Sequence, residues 1–385
     1  MSSLPKKIIV QARPFAFPPC GLRTYVTNFI QSLSRQLPNI SFELLVPKKL
    51  DEKEFELPPN CTLVPLLPPS TEPEYLSTIL WENQLVTDYV KTTDLENTLF
   101  YFSPYHCLPY EQLPVPEVIL IHDVTIWKDP DPSWSVERRF SYRLKELSIA
   151  NAKHLFTVSS FTKSEVVSFF KIDDSNITPI FADINPYYKV GHTPSVNLLE
   201  KYGLQSDEYF LYIGSYEKRK NVDNLLKAYE IYQTTSNKKK KLVVVGFHTE
   251  KSKEVQSFNE TEKHANIVIL PQLAISDLYT LYKSASAFVY PSHYEGFGLQ
   301  ILEAQWVGTP LLVSDIPVFR EVAQDGALFF NQYDPNDIAR KMLYFENTPD
   351  IAQTLIQRGH ENAKRFDWKN TVSLFTTSLS HLKLL

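Results

Sequence analysis

The chain has 385 residues, 43% hydrophobic and 22% charged, which is ordinary for a globular protein and too long for one compact core. Its formal net charge of −5, all of it carried by residues 1–185, argues against a nucleic-acid binder, which would show a basic face. No window holds the long uncharged apolar run of a membrane helix.

The opening MSSLPKKIIVQARPF is basic and then briefly apolar, so it reads as a first strand rather than a signal peptide. Strand-like runs follow at KIIV (7–10), FELLV (42–46), TLFYF (98–102), EVILIH (117–122) and HLFTV (154–158). Helical patterns lie between them, over Tyr25 to Leu37, Tyr75 to Lys91, Val136 to Ala152 and Phe161 to Phe170. Alternating helices and apolar strands predict a parallel sheet covered on both faces. Residues 176–210 break the rhythm, and the linker is expected over 186–207. The pattern restarts with YFLYIG (209–214), a helix from Asn221, KLVVVG (241–246), NIVIL (266–270), AFVY (287–290), PLLV (310–313) and ALFF (327–330). Helices near 350–364 and 367–384 close the chain. The expectation is α/β throughout, with two doubly wound domains over 1–185 and 208–365 and a C-terminal helix in 366–385. Ligands of such sheets bind beyond the carboxyl ends of the strands.

Cys20, Cys61 and Cys107 are far apart with no C-x-x-C, which predicts buried free thiols in a reducing cytosol rather than a metal site or catalytic thiol. KKKK (238–241) precedes a strand and reads as a solvated turn. Asp129-Pro130-Asp131 sits in a proline-rich loop, and no metal is assigned to it.

Two strand-to-helix turns hold the candidate chemistry. In YPSHYEGFGLQILEAQ (290–305), Gly296 and Gly298 let the backbone bend and a ligand approach. The helix that follows offers amide donors and the positive end of a dipole, a place for phosphate or a sugar. Glu295 lies beside those donors and Glu303 lies further along the helix. Carboxylates accept paired hydrogen bonds from vicinal hydroxyls, so one acid for a sugar and one for a ribose would suit a nucleotide sugar. The bland alternative is a plain turn and a surface glutamate. In YIGSYEKRKNVDNLLKAY (212–229), Lys218, Arg219 and Lys220 crowd the turn before a helix that Asn221 can cap. Those cations suit a pyrophosphate, although a solvated basic turn is the commoner use of such a run.

At this point E-G-F-G-L-x-x-L-E-A, preceded by P-S and followed by G-T-P-L-L-V-S-D, resembles the glutamate-x7-glutamate signature of retaining glycosyltransferases of family 4. GLRTYVTNFI (21–30), IHDVTIWKDPDPSW (121–134), FTVSSFTKSEV (156–166), YIGSYEKRKN, LAISDLYTLYKSASAFVYPS (273–292) and FDWKNTVSLF (366–375) are similar to further family segments in the same order. The resemblance implies a GT-B fold, two Rossmann-like domains facing a central cleft, with the acceptor on the N-terminal domain and the nucleotide-sugar donor on the C-terminal one. The C-terminal helix would pack back on the N-terminal domain. Carried over by position, Glu303 would hold the ribose hydroxyls. Glu295 would contact the hexose, with Gly296, Phe297, Gly298 and Leu299 supporting sugar and phosphate. Arg219 and Lys220 would neutralise the pyrophosphate with help from Ser215, and Gln272 and Leu273 would face the base. His122 would lie near the reacting sugar, and Gly21, Arg23, Tyr25, His122 and Asp123 would form the acceptor side. Many members have glycine where Arg23 stands and arginine where Ser215 stands. Arg23 is therefore expected to reach toward the site, and Arg219 to carry more of the phosphate charge. FADINP (181–186) replaces the usual asparagine-glycine before the linker.

The implied reaction is a metal-independent transfer of a hexose with retention. Positive groups at the leaving phosphate stabilise the transition state, and no cofactor takes part beyond the donor as co-substrate. The resemblance is to mannosyltransferase-like members, so GDP-mannose is the first donor expected, with UDP- and dTDP-sugars open. The acceptor expected is a saccharide or a lipid-linked saccharide, in polysaccharide synthesis. The location expected is cytoplasmic, at most peripheral to the inner face of a membrane. Phe15, Phe17 and Trp127 offer rings for sugar stacking or simply for packing. The rival readings are a glycoside hydrolase or phosphorylase, and a non-catalytic nucleotide-sugar-binding protein on the same fold.

Overall fold

The computed structural model describes residues 5–69, 74–105, 107–128, 136–246 and 266–385. The Asp129-Pro130-Asp131 loop and the polar stretch after Gly246 lie outside the described residues. The chain divides into two compact units, Met1–Asp183 with Phe366–Leu385, and Ile184–Arg365.

The first unit is built on β1 (Lys7–Gln11), β2 (Ser41–Val46), β3 (Cys61–Pro65), β4 (Thr98–Ser103), β5 (Glu117–Ile121), β6 (His154–Thr157) and β7 (Ile177–Pro179). All pair in parallel, in the order β3-β2-β1-β4-β5-β6-β7. β5 is buried along its whole length, because helices cover both faces of a parallel sheet. Its helices are α1 (Gly21–Gln36), α2 (Glu74–Leu80), α3 (Val86–Thr92), α4 (Thr125–Lys128), α5 (Val136–Ser148) and α6 (Ser160–Phe170). α1 begins four residues before the expected Tyr25, and no side chain caps it. The single helix expected over 75–91 is interrupted by a π-helical turn at Trp81–Leu85, where Glu82 is drawn inward.

The second unit begins with α7 (Tyr187–Val190) and α8 (Val196–Lys201), so the 186–207 stretch carries helices folded with that unit. Its strands are β8 (Tyr209–Ile213), β9 (Lys241–Val245), β10 (Ile267–Leu270), β11 (Ala287–Tyr290), β12 (Leu311–Ser314) and β13 (Leu328–Phe330), all parallel, in the order β10-β9-β8-β11-β12-β13. The helices are α9 (Val222–Thr235), α10 (Ile275–Ser284), α11 (Leu299–Val307), α12 (Pro317–Ala323), α13 (Pro335–Asn347) and α14 (Ile351–Ala363). The chain then returns to the first unit as α15 (Trp368–His381). There Trp368 meets Tyr25 edge-on at 5.1 Å and Phe375 meets Phe29 at 5.2 Å. Phe181 and Asp183 of the FADINP segment accept hydrogen bonds from Thr371 (2.6 Å) and the Trp368 amide (3.2 Å).

In each sheet the strand order turns around between two central neighbours, β1 and β4 in the first and β8 and β11 in the second. Loops leaving these switch points diverge and leave room for a ligand. The three cysteines are free, but only Cys107 is buried; Cys20 is exposed, since the α1 entry lies at the surface. Lys240 of the KKKK run is buried as well, where its ammonium binds the Asp207 carbonyl. Among the described residues, no helix is long and apolar enough to cross a membrane.

Candidate active site

The turns after β8 and β11, neighbouring strands at the second switch point, are stitched together. The His293 amide donates to the Arg219 carbonyl at 2.7 Å. Asn221, in a left-handed conformation (φ 58°), donates to the carbonyls of Pro291 (2.9 Å) and Gln332 (2.7 Å). It therefore does not cap α9 with its side chain, as the sequence suggested; its amide is used to join the turns.

Glu295 is the centre of this junction. Its Oε1 accepts from Lys220 Nζ (2.6 Å), Ser292 Oγ (2.8 Å) and Tyr290 Oη (2.9 Å), and its Oε2 from Arg219 (2.9 Å). Burial alone would raise its pKa, but Lys220 and Arg219 outweigh burial and hold it at about 2. Burial also opposes the Lys220 charge, yet proton transfer to a carboxylate this acidic is uphill, so the pair stays ionic. On the outer side, the Arg219 Nε donates to Glu217 at 2.8 Å and Ser215 Oγ donates to Glu217 at 2.7 Å. Arg219, Lys220, Glu295 and Ser215 are thus brought into one network. Tyr290, Ser292 and Glu217 complete it, and sequence reasoning did not single them out.

α11 starts at Leu299 behind Gly298, whose φ is +96°. A Cβ there would sit 3.0 Å from Phe319 Cε1 and 3.4 Å from Ile301 Cδ1, so only glycine lets the helix start settle on Phe319. Phe297 is buried beside it. The first amides of α11 have no acceptor within the helix. One turn on, half-buried Glu303 accepts from Tyr282 Oη at 3.0 Å. Burial raises its pKa to about 7, against the Tyr282 bond that lowers it. This carboxylate stands apart from the Glu295 network, between tyrosines. Gln272 is exposed and Leu273 half-buried in the turn after β10.

In the first unit, His122 follows β5. Burial lowers its pKa, and its Nε2 lies 2.8 Å from the Pro104 carbonyl, so Nε2 carries the proton and Nδ1 is left as an acceptor. The Tyr25 ring meets it edge-on at 4.9 Å. Asp123 accepts from the Thr125 amide (2.9 Å) at the start of α4. Gly21 opens α1. Arg23 is held by the Phe17 carbonyl (2.8 Å) and Glu54, with its guanidinium 5.0 Å from the Phe55 ring centre. Phe15 stacks on Phe55 (4.6 Å), and Trp127 donates to the Tyr142 carbonyl (3.2 Å), so both rings pack within the unit. Among the described residues, no three His, Cys, Asp or Glu side chains converge as a metal site.

A model of the family described as glycosyl transferases group 1 matches residues 197–362. The O-antigen chain mannosyltransferase B of Escherichia coli is 32% identical over 272 residues, 70% of each chain. The O-antigen chain mannosyltransferase RfbU of Salmonella typhimurium is 28% identical over 280 residues, 72% of this chain and 73% of that one. Among solved structures, sucrose-phosphate synthase from Thermosynechococcus elongatus aligns with a TM-score of 0.76 at 18% identity, over 98% of this chain and 99% of that one. WaaG, a glycosyltransferase involved in lipopolysaccharide biosynthesis, aligns at 0.72 and 15% identity, over 95% and 97%. Two parallel α/β units with this whole-chain likeness define the GT-B class. Within that class the chain belongs to the glycosyl transferases group 1 family and is a glycosyltransferase.

Proposed function

We propose that the protein transfers mannose from GDP-mannose to a saccharide or lipid-linked saccharide acceptor, with retention at the anomeric carbon and without a metal ion. Mannose is favoured because the two O-antigen relatives are named mannosyltransferases. The reading is carried by one observation, the convergence of Arg219 and Lys220 on buried Glu295 at the second switch point.

The anomeric carbon–oxygen bond breaks and its electron pair leaves with the nucleoside diphosphate. Arg219 and Lys220 offset the charge that grows there, and they are held in place before the donor arrives. Glu303, which among the described residues accepts a side-chain hydrogen bond from Tyr282, accepts the ribose diol. The first amides of α11 serve sugar and phosphate. Glu295 aims the two cations and meets a hexose hydroxyl; at a pKa of about 2 it is too acidic for general base work near neutrality. The acceptor oxygen attacks the face that the leaving group vacates, and the departing phosphate oxygen is the nearest base for its proton. The first unit receives the acceptor, with neutral His122 offering Nδ1 to a hydroxyl.

A donor panel tests this. GDP-, UDP-, dTDP- and ADP-sugars are incubated with the protein, with and without EDTA, and released nucleoside diphosphate is measured. The expected result is slow, EDTA-insensitive release from GDP-mannose. Release only with added metal, or from another donor, would overturn that part of the assignment.

A further inference from the structure

The first sheet has its own switch point, and three charged side chains converge there. Arg13 follows β1, and Tyr105 follows its neighbour β4. Arg13 donates to Glu82 at 2.9 Å and to Thr78 Oγ1 at 2.9 Å. Lys145, from α5, lies 3.3 Å from the other Glu82 oxygen. Lys145 and Glu82 are almost fully buried, whereas Arg13 keeps 18% of its side chain exposed, so the cluster opens to solvent through the guanidinium. Among the described residues, two cations here share one carboxylate. Burial keeps the neighbouring Cys107 thiol protonated, so it adds no negative charge. A buried excess of one positive charge is costly unless an anion joins it.

Three further features point to a ligand rather than a structural clamp. Glu82 is carried on the π-helical turn, a backbone deformation common at functional sites. Aromatic faces line the cations: Arg13 lies 5.3 Å from the Phe17 ring centre and 5.9 Å from that of Tyr105, and Lys145 lies 5.3 Å from Tyr142. The cluster also adjoins His122, whose Nε2 donates to Pro104, next to Tyr105 in the chain.

We propose that Arg13 and Lys145, set by Glu82, bind a phosphoryl group carried by the acceptor, with the Phe17–Tyr105 pair, packed edge to face at 5.7 Å, on one side of the sugar to which it is attached. This deepens the proposed function and rests on it for the word acceptor; the anion site itself does not.

The test uses the full chain with its donor site filled by excess GDP. Inorganic phosphate, mannose 1-phosphate and methyl mannoside are titrated separately at constant chloride and followed by calorimetry. Mannose 1-phosphate is expected to bind more tightly than phosphate, and methyl mannoside not measurably. Arg13→Met and Lys145→Met are each expected to weaken mannose 1-phosphate at least tenfold. Glu82→Gln is expected to tighten it severalfold, because the carboxylate competes for the same cations. That reversal of sign is something a purely structural clamp would not give. Glu82→Gln is also expected to melt higher with phosphate than without, which reads the site even if the variant is less stable. Absence of phosphate binding, or all variants binding alike, overturns the site. Phosphate binding as tightly as mannose 1-phosphate overturns the acceptor assignment. Donor release intact with no anion binding sinks this inference alone; anion binding intact with a silent donor panel sinks the transfer reading alone.

Discussion

If Glu303 holds the donor ribose, donor affinity must follow its ionisation. The carboxylate accepts both hydroxyls of a diol only when it is charged, and burial lifts its pKa to about 7. With that value the ionised fraction rises from about one tenth at pH 6 to about nine tenths at pH 8, so the glutamate's share of GDP affinity should rise about tenfold. The terminal phosphate of GDP also titrates near pH 6, so the quantity to read is the ratio of wild type to Glu303→Gln. Calorimetry at pH 6, 7 and 8 is expected to show that ratio growing about tenfold in favour of wild type. Stability moves the other way. The unfolded carboxyl loses its proton near pH 4.3, while the folded one keeps it until about 7. The folded state therefore binds more protons across that window, and raising the pH through it destabilises the protein. The loss is at most about 4 kcal/mol, and less because the half-buried side chain meets water. Glu303→Gln should remove this slope in urea titrations. A GDP affinity ratio that stays constant from pH 6 to pH 8 would refute the reasoning.

Two other substitutions separate charge from backbone. Lys220→Met removes one of the two ion pairs of buried Glu295, leaving it Arg219, Ser292 and Tyr290, and should cost about 3–5 kcal/mol in urea unfolding. It should also lower nucleotide release by about 10²–10³-fold; release within threefold of wild type would mean that Lys220 does not face the leaving group. Gly298→Ala places a Cβ 3.0 Å from Phe319 at a φ of +96°, and should cost about 1–2 kcal/mol and weaken GDP binding. An unchanged unfolding midpoint would show that the α11 start is not confined as argued.

The central strands were legible because parallel strands buried on both faces are written as unbroken apolar runs, as EVILI in β5 and AFVY in β11 show. β3 and β7 were not, being short and partly exposed at the sheet edges. The motif residues Arg219, Lys220, Glu295 and Glu303 could be named from spacing and resemblance. What they bind could not, since Lys220 and Glu295 are 75 residues apart in sequence. The π-helical turn was invisible for the same reason. Its Glu82 is pulled in by Arg13 and Lys145, 69 and 63 residues away, while the local pattern is that of an uninterrupted helix. Asn221 shows the limit of a local rule, because a good helix cap was spent on two distant carbonyls.

The Arg219–Lys220 network has a fixed inner side and a replaceable outer one. Glu295 is buried and takes four donors on two oxygens, so the inner ion pairs are rigid and cannot be exchanged cheaply. Glu217 holds the outer edge of Arg219 with about half its side chain in water, and an exposed pair of this kind is worth less than about 1 kcal/mol. A pyrophosphate can therefore displace Glu217 at small cost while the cations stay where Glu295 aims them. On the proposed reading, the charge that favours departure would be in place before the anomeric bond stretches, and Glu217, held by Arg219 and Ser215, would be the group to move aside. The proposed transfer would then put binding energy into the transition state without asking any carboxylate here to attack the sugar.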